Sequence, residues 1–364
     1  MPLRCLSGDT EEILAFTQTE ESWAALKADY RARQLKMTCC GMPAVPKTSS
    51  LGTFFFAHSR RGECTSAPET KEHLLAKTII AKAVLAAGWR VVTEYRGETP
   101  DGKPWIADVF AEHGNAKIVF EVQWSSQQDP ETAIRQKQYS ESGARGLWLF
   151  RQKNFTSSKE VPAFRLALNE DRTGFTIKIP SSKSFFENRS EDADDWPQSI
   201  DLEDFIKGCL QKKLKWAPAI GRSFALQFYG FPIECWRCKK ETRIIIDLNV
   251  QITEVFREHP NLWLKLEDFE ECPELLTAVI PHDFYTKYGV GRIKKRNSKT
   301  AGMKYLSNGC AHCDALQGKF FEHEYDYNST PISTSEILLS EQLFSKLPKE
   351  TSEELLRWYF VQGE

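Results

Sequence analysis

Apolar residues in the first half of the chain recur at helical spacing and then at every second position. In "APETKEHLLAKTIIAKAVLAAG" (67–88), Leu74, Leu75, Thr78, Ile79, Ala81 and Val84 share one helical face, and Gly88 supplies a stop. "WRVVTEY" (89–95) then reads as a strand and "TPDGK" (99–103) as a turn. "IADVFAEHGNAKIVFEVQWS" (106–125) reads as two strands joined at Gly114-Asn115. "PETAIRQKQYSESG" (130–143) predicts a second helix, and "GLWLFR" (146–151), "AFRLAL" (163–168) and "GFTIKIP" (174–180) predict further strands. The polar, acidic "SSKSFFENRSEDADDWPQS" (181–199) has a linker's composition, and "IDLEDFIKGCLQKKLKW" (200–216) reads as a helix opening a last region.

The 106–125 hairpin is apolar except for one carboxylate in each strand. A two-residue turn sets His113 opposite Ala116, and the register then runs outward to place Asp108 opposite Glu121. Ile106 and Gln123 share that face, while Ala107, Val109, Ala111, Ile118, Phe120 and Val122 make the apolar one. Like charges facing each other across strands destabilise a sheet, so two partly buried acids there call for a cation. Mg²⁺, which takes oxygen ligands, is the natural one. The alternative is a slipped register, or two acids each paired with its own Lys or Arg. Glu94 on the preceding strand could reach the same face. Glu69 and Glu72 open the first helix, where the helix dipole alone favours acids, and His73 and Lys77 sit four apart on it.

Length and composition frame this core. A chain of 364 residues predicts two or three domains, and 41% hydrophobic content supports packed cores. A net charge of -2 provides no global field toward nucleic acid, so any polyanion site has to be a local patch. The apolar runs are too short for a membrane helix, and the opening residues lack a secretory core, so a cytoplasmic protein is expected. Ten cysteines in such a chain point to metal more than to disulfides. Cys235, Cys238, Cys310 and Cys313 form two C-x-x-C pairs, the pattern of a structural Zn²⁺ site. Between them, "GVGRIKKRNSK" carries Arg292, Lys294, Lys295, Arg296 and Lys299, a cluster suited to phosphate or simply to solvent. Cys39, Cys40, His58 and Cys64 form a second candidate zinc set, in which the adjacent cysteines strain joint coordination and one could be a bystander.

The order helix, three strands, helix, strand, with Asp108 and "EVQ" at 121–123, resembles the PD-(D/E)XK nuclease core. More closely, "ETKEHLLAK" (69–77), Glu94, "ADVF" (107–110), "FEVQWS" (120–125) and "RQKQY" running into "GLWLF" (135–150) resemble the competence protein CoiA family. "LEDFIKGCLQKKLKW" and the preceding "TCCG…FFFAHSRRGEC" extend the likeness. The resemblance implies a metal-dependent DNA nuclease tied to recombination of incoming DNA, with Asp108 and Glu121 on Mg²⁺ or Mn²⁺. Gln123 stands where the broader nuclease family has Lys. A Gln can orient water or phosphate but cannot act as a base at neutral pH.

The expected architecture is an α/β, restriction-endonuclease-like core with a mixed central sheet flanked by helices, plus N- and C-terminal zinc modules. The boundaries expected are 1–66 for the Cys/His region, 67–182 for the nuclease-like domain, 183–200 for a linker and 201–364 for the C-terminal domain. The expected site is Asp108, Glu121, Gln123, Glu94, Glu69, His73 and Lys77, with Arg135, Tyr139 and the 292–299 basic residues on DNA, single-stranded or branched. Two rival readings are a non-catalytic mediator that recruits a recombinase, and a defence or mobile-element nuclease with the same chemistry.

Overall fold

The computed structural model describes residues 2–8, 10–60, 62, 64, 69–125, 129–153, 155–179, 196, 198–217, 220–251, 261–320, 326–346 and 357–361. Most of the predicted linker, 183–195 and 197, lies outside the described residues. The described residues fall into two compact units, one built from residues up to 179, 196, 198–215 and 358–361, the other from 216–357.

The first unit begins with strands the sequence reading did not foresee. β1 (Arg4–Ser7) lies between β2 (Glu11–Leu14) and β3 (Leu35–Met37), followed by the hairpin β4 (Ala44–Thr48) and β5 (Phe54–His58). The helix α1 (Glu20–Asp29) starts at Thr19, whose hydroxyl accepts from the Ser22 N–H, and buries Trp23. Trp23 stacks on Phe54 at a centroid distance of 4.8 Å, which ties helix to hairpin.

The core of this unit is a seven-stranded mixed sheet in the order β12-β11-β10-β9-β8-β7-β6. Its strands are β6 (Arg90–Glu98), β7 (Pro104–His113), β8 (Ala116–Gln123), β9 (Arg145–Phe150), β10 (Ala163–Leu168), β11 (Phe175–Ile179) and β12 (Gln198–Asp201). β8, β9 and β10 run parallel and the other neighbours antiparallel. A parallel β8–β9 pair needs a crossover, and α3 (Asp129–Glu141) provides it. α2 (Lys71–Ala86) begins at Thr70, whose hydroxyl accepts from the His73 N–H, and Gly88 at φ +78° follows its end.

α2 covers one sheet face, packing Leu74, Ile80, Ala81 and Val84 over Val109, Ala111, Phe120 and Val122. Tyr139 of α3 covers the other with Trp105, Phe110, Val119 and Trp148. The buried stripe of α2 differs from the expected one: Leu75 and Ile79 are only partly buried, while Lys77 is completely buried. A lysine inside an apolar stripe demands local counter-charge.

The helix expected to open the C-terminal domain belongs to this first unit instead. α4 (Leu202–Leu210) packs Phe205 edge-on against Phe164 of β10, and its Asp201 cap closes β12. The last strand, β21 (Arg357–Phe360), pairs with β13 (Leu214–Ala217) and lays Phe360 on Phe205. The apolar sequence of 202–210 therefore completes the α2 face of the sheet, and the expected boundary at 201 moves to about 215.

The turn and register of the hairpin are as expected: pairs run from His113–Ala116 out to Val109–Phe120. Face alternation, however, breaks one rung further. Ala107 packs on the α3 side with Trp105, whereas Val109 packs on the α2 side. Opposite, Glu94 takes a left-handed backbone at φ 49°, and Tyr95 stacks on Phe110 at 4.1 Å. β6 and β7 thus kink together: Thr93–Val109 and Tyr95–Ala107 pair normally around an unpaired Glu94 and Asp108. A non-glycine residue at positive φ costs energy that the surroundings have to offset, and such residues concentrate at functional sites. The kink overturns the expected assignment of Ala107 to the face of Val109.

In the second unit, β14 (Ser223–Glu234) and β15 (Glu241–Gln251) are flanked by β16 (Asn261–Leu264) and β20 (Thr330–Leu338). One face buries Leu226, Phe228, Leu248, Val250 and Leu264. A smaller sheet joins β17 (Lys294–Ser298), β18 (Met303–Gly309) and β19 (Leu316–Gln317). No helix among the described residues is long and apolar enough to cross a membrane.

Gly97 on β6 leaves the room that the Trp105 ring fills: a Cβ there would lie 2.1 Å from that ring. Gly97→Ala is expected to cost about 1–3 kcal/mol, the usual penalty for overpacking. Chemical denaturation measures this, and an unchanged midpoint would contradict the packing described.

Candidate functional site

The kink gathers the predicted residues at one end of the sheet. The buried Lys77 ammonium donates to Glu69 Oε1 at 2.7 Å and to Glu94 Oε1 at 2.5 Å, and lies 3.8 Å from Asp108 Oδ1. His73 Nε2 lies 3.2 Å from Asp108 Oδ2, and its Nδ1 is 3.5 Å from Glu69. Asp108 Oδ2 also accepts the Val122 backbone N–H at 2.9 Å. That bond replaces the ladder where β7 and β8 part. The N-terminal strand reaches the same place: Arg4 donates to the Glu94 carbonyl at 3.1 Å and the Leu3 N–H to its Oε1 at 3.4 Å.

Glu121 is held from the α3 side. Tyr139 donates to its Oε1 and Arg135 to its Oε2, both at 2.6 Å, and Gln123 donates to Oε2 at 3.3 Å. Tyr139 is completely buried, and Arg135 is committed to this ion pair and lies 5.1 Å from the Trp148 ring centroid. The two residues expected to face DNA therefore brace Glu121 instead. The i, i+4 spacing of Arg135 and Tyr139 was the sequence signal for this clamp, since both side chains fall on one face of α3.

Asp108 and Glu121 do not form the common ligand pair that regular alternation predicted. The kink turns Asp108 toward α2, while Glu121 keeps the α3 side. Among the described residues Glu69, His73 and Asp108 bring ligand atoms within 4.8 Å of one another, and Glu121 stands outside that group. The two carboxylates still sense each other. Burial, then the Asp108 charge, push Glu121 up to about 7 against the pull of Arg135 and Tyr139. Burial would raise Asp108, but His73, Lys77 and the Val122 N–H outweigh it and hold it below the usual carboxylate range. Burial would likewise lower Lys77, yet Glu69, Glu94 and Asp108 hold its proton more tightly than in water. His73 is raised too, Asp108 outweighing desolvation.

The carboxylates of Glu69, Glu94, Asp108 and Glu121 gather around Lys77, His73 and Arg135. Glu94 Oε2 is buried with no hydrogen-bond partner among the described residues. A cluster of carboxylates with a buried, unused oxygen on Glu94 fits a divalent cation with oxygen preference.

Two further groups could bind metal. Cys39, Cys40, His58 and Cys64 converge, with Cys39 Sγ 3.6 Å from Cys40 Sγ and 3.7 Å from Cys64 Sγ. Both adjacent cysteines thus point inward, against the expectation that one is a bystander. Cys235, Cys238, Cys310 and Cys313 converge likewise, with Cys235–Cys313 at 3.7 Å and Cys238–Cys310 at 3.6 Å. Zn–S bonds of about 2.3 Å in a tetrahedron give S–S edges of roughly 3.8 Å, so both seats have the size of zinc. Burial opposes ionisation of Cys235, but the N–H groups of Cys238 and Arg237 bring its thiol down to about 6, toward the thiolate a metal needs.

The basic cluster serves the second of these seats. Lys294 and Arg296 both pair with Asp314, next to Cys313, and Lys295 pairs with Glu270 at 3.0 Å. Arg296 also donates to the Ser307 and Arg292 carbonyls. Three of the five residues expected on DNA thus have acidic partners; Arg292, Lys294, Lys295 and Lys299 are exposed, and Arg296 is half-buried.

Two outcomes follow from this geometry. Lys77→Met removes the ammonium among three carboxylates, and breaking such a pair costs about 3–5 kcal/mol. Thermal melting should show that loss and a partial recovery in Mg²⁺ or Mn²⁺, while an unchanged melt would contradict the balance described. Cys235→Ser or Cys310→Ser should remove about one zinc per chain by elemental analysis, and unchanged zinc would eliminate that seat.

A comparison with protein families matches residues 69–186 to the nuclease-like domain of competence protein CoiA. No curated protein matches the chain. The matched segment spans α2 through β11, the elements that carry Glu69, His73, Lys77, Glu94, Asp108, Glu121 and Arg135. Residues 69–186, about a third of the chain, are therefore similar to the nuclease-like domain of competence protein CoiA.

Proposed function

We propose that the chain hydrolyses phosphodiester bonds in DNA with Mg²⁺ or Mn²⁺, as part of the processing or recombination of incoming DNA. The observation that carries this reading is the convergence of four carboxylates on Lys77, His73 and Arg135 at the kinked end of a sheet, inside the segment similar to the CoiA nuclease-like domain. Among described residues, no other acidic group on the first unit joins a histidine in a candidate metal seat.

In this reading Asp108 and Glu69 hold the ion, with Glu94 and Glu121 adding negative charge around it. A bound divalent ion acidifies water and offsets charge on a phosphate. His73, whose proton Asp108 holds more tightly despite burial, is placed to donate to a phosphate oxygen or a leaving group. Gln123 reaches Glu121 and, having no titratable proton, orients rather than transfers. Arg135 and Tyr139 fix the Glu121 carboxylate so that it cannot swing onto Lys77. Zinc at the two cysteine-rich seats would be structural. The PD-(D/E)XK assignment rests on the order of α2, β6–β8, α3 and β9 and on Asp108 and Glu121 lying just beyond the last β7–β8 pair, Val109–Phe120.

The mediator reading predicts DNA binding without cleavage. Labelled single-stranded, duplex and branched DNA separate the two. The parent chain should cut at least one substrate only with Mg²⁺ or Mn²⁺, and Asp108→Asn should lose about a hundredfold or more, consistent with several kcal/mol from the ion. Glu121→Gln should lose a comparable factor. Cleavage that survives both changes, or tight binding with no cleavage by the parent, overturns the proposal.

A further inference from the structure

Arg151, just past β9, and Trp124, just past β8, form a pair that the nuclease-like site leaves unused. The guanidinium carbon of Arg151 lies over the Trp124 ring, 5.3 Å from its centroid. Trp124 is half-buried, and Phe175 of β11 meets it edge-on at 5.8 Å with planes at 83°, which makes the ring a fixed support. Trp124 packs on the α2 side of the sheet, the side to which Asp108 turns. The Arg151 N–H donates to the Gln123 carbonyl at 3.0 Å, which carries the parallel β8–β9 ladder one step beyond Gln123–Phe150. Gln123 in turn donates to Glu121, and the N–H of Val122 before it donates to Asp108. The main chain therefore holds Arg151 beside the residues that carry the acidic cluster.

A cluster of carboxylates repels a polyanion, and a net charge of -2 supplies no compensating field, so DNA at this end of the sheet needs a local cation. Three arginines of this unit are spent on acids: Arg4 pairs with Glu12, Arg135 with Glu121 and Arg172 with Glu72. Arg151 is exposed and has no acidic partner among the described residues. Its contact with the ring engages the charge but not the N–H edges, which stay open to two oxygens of a phosphate. The ring also limits the freedom that a long side chain otherwise loses on binding. β9 lies two strands from β7, roughly 10 Å at about 4.8 Å per strand, which a DNA strand rising about 3.4 Å per nucleotide covers in a few nucleotides.

We propose that Arg151, propped on Trp124, is a DNA-binding residue that grips a backbone phosphate flanking the one to be cut. It positions the strand across the carboxylates and takes no part in breaking the bond. The choice of DNA as ligand rests on the proposed function, but only binding is asked of this pair.

The test is fluorescence anisotropy of the full chain with a labelled single-stranded oligonucleotide in magnesium-free buffer over a range of salt, which keeps binding apart from cleavage. Arg151→Ala should weaken binding about fivefold or more and flatten the slope of log affinity against log salt by about 0.7, the loss of one phosphate contact. Arg151→Lys should restore the slope but only part of the affinity, since an ammonium keeps the charge without the paired N–H donors. Trp124→Leu should weaken binding about twofold to threefold at an unchanged slope. Arg145, exposed at the opposite end of β9, is the control: Arg145→Ala removes the same charge and should change neither quantity. Melting temperature establishes that each variant is folded, and the exposed Arg151 carries the test if Trp124→Leu is not. Parental affinity and slope in Arg151→Ala, an equal loss in Arg145→Ala, or no DNA binding by the parent chain overturns the proposal. A loss confined to Arg151→Ala in a chain that cuts no DNA would overturn the nuclease reading and leave this one standing.

Discussion

The first unit is organised around a buried ammonium. Lys77 sits in the apolar stripe of α2 with no exposed surface, and it is tolerable there only because Glu69, Glu94 and Asp108 surround it. Each of those acids comes from a different place: the residue before the Thr70 cap of α2, β6 and β7. The ammonium therefore fixes how the helix end meets the two strands. It also explains the paired kink, since regular alternation would carry Glu94 and Asp108 away from α2. The left-handed backbone at Glu94 is the local cost of bringing its carboxylate to Lys77.

A second anchor works from the opposite face. Glu121 is buried and charged or protonated according to its neighbours, and Arg135 and Tyr139 hold it in place. Behind them Trp105 packs edge-on to Tyr139 at 5.2 Å, and Gln136 accepts from the Trp148 indole at 2.7 Å. The two faces of the sheet thus each deliver one acid to the end where β7 and β8 separate. Asp108 bonding the Val122 N–H joins them, because that N–H belongs to the residue after Glu121. What emerges is a preorganised pair of acids held apart by their own counter-ions, with Lys77 occupying a position where a divalent ion would compete for the same oxygens.

Much of this was legible in the sequence, and the failures are instructive. Element order, the Gly114-Asn115 turn and the hairpin register follow from period-2 alternation and turn chemistry, and the cysteine spacings pointed to both metal seats. The faces of Asp108 and Ala107 were misread because alternation assumes an unbroken strand, and nothing in "TEYRG" announces a non-glycine residue at positive φ. Arg135 and Tyr139 were expected on DNA, whereas here they meet the buried Glu121, a partner on another strand that the helix sequence does not announce. The 292–299 basic run was read as a phosphate site because Asp314 and Glu270, its partners, are distant in sequence. α4 was given to the wrong unit because a helix after a polar stretch looks like a beginning, and its packing on β10 is a long-range fact.

The most direct test of the central claim is crystallographic: crystals of the protein grown or soaked in Mn²⁺, examined by anomalous scattering. The account predicts a peak about 2–2.3 Å from a carboxylate oxygen of Asp108, with the Lys77 ammonium displaced from at least one of its acids. A site without an anomalous peak at saturating Mn²⁺, with Lys77 still bridging Glu69 and Glu94, would show that the cluster is a structural ion-pair network and contradict the account.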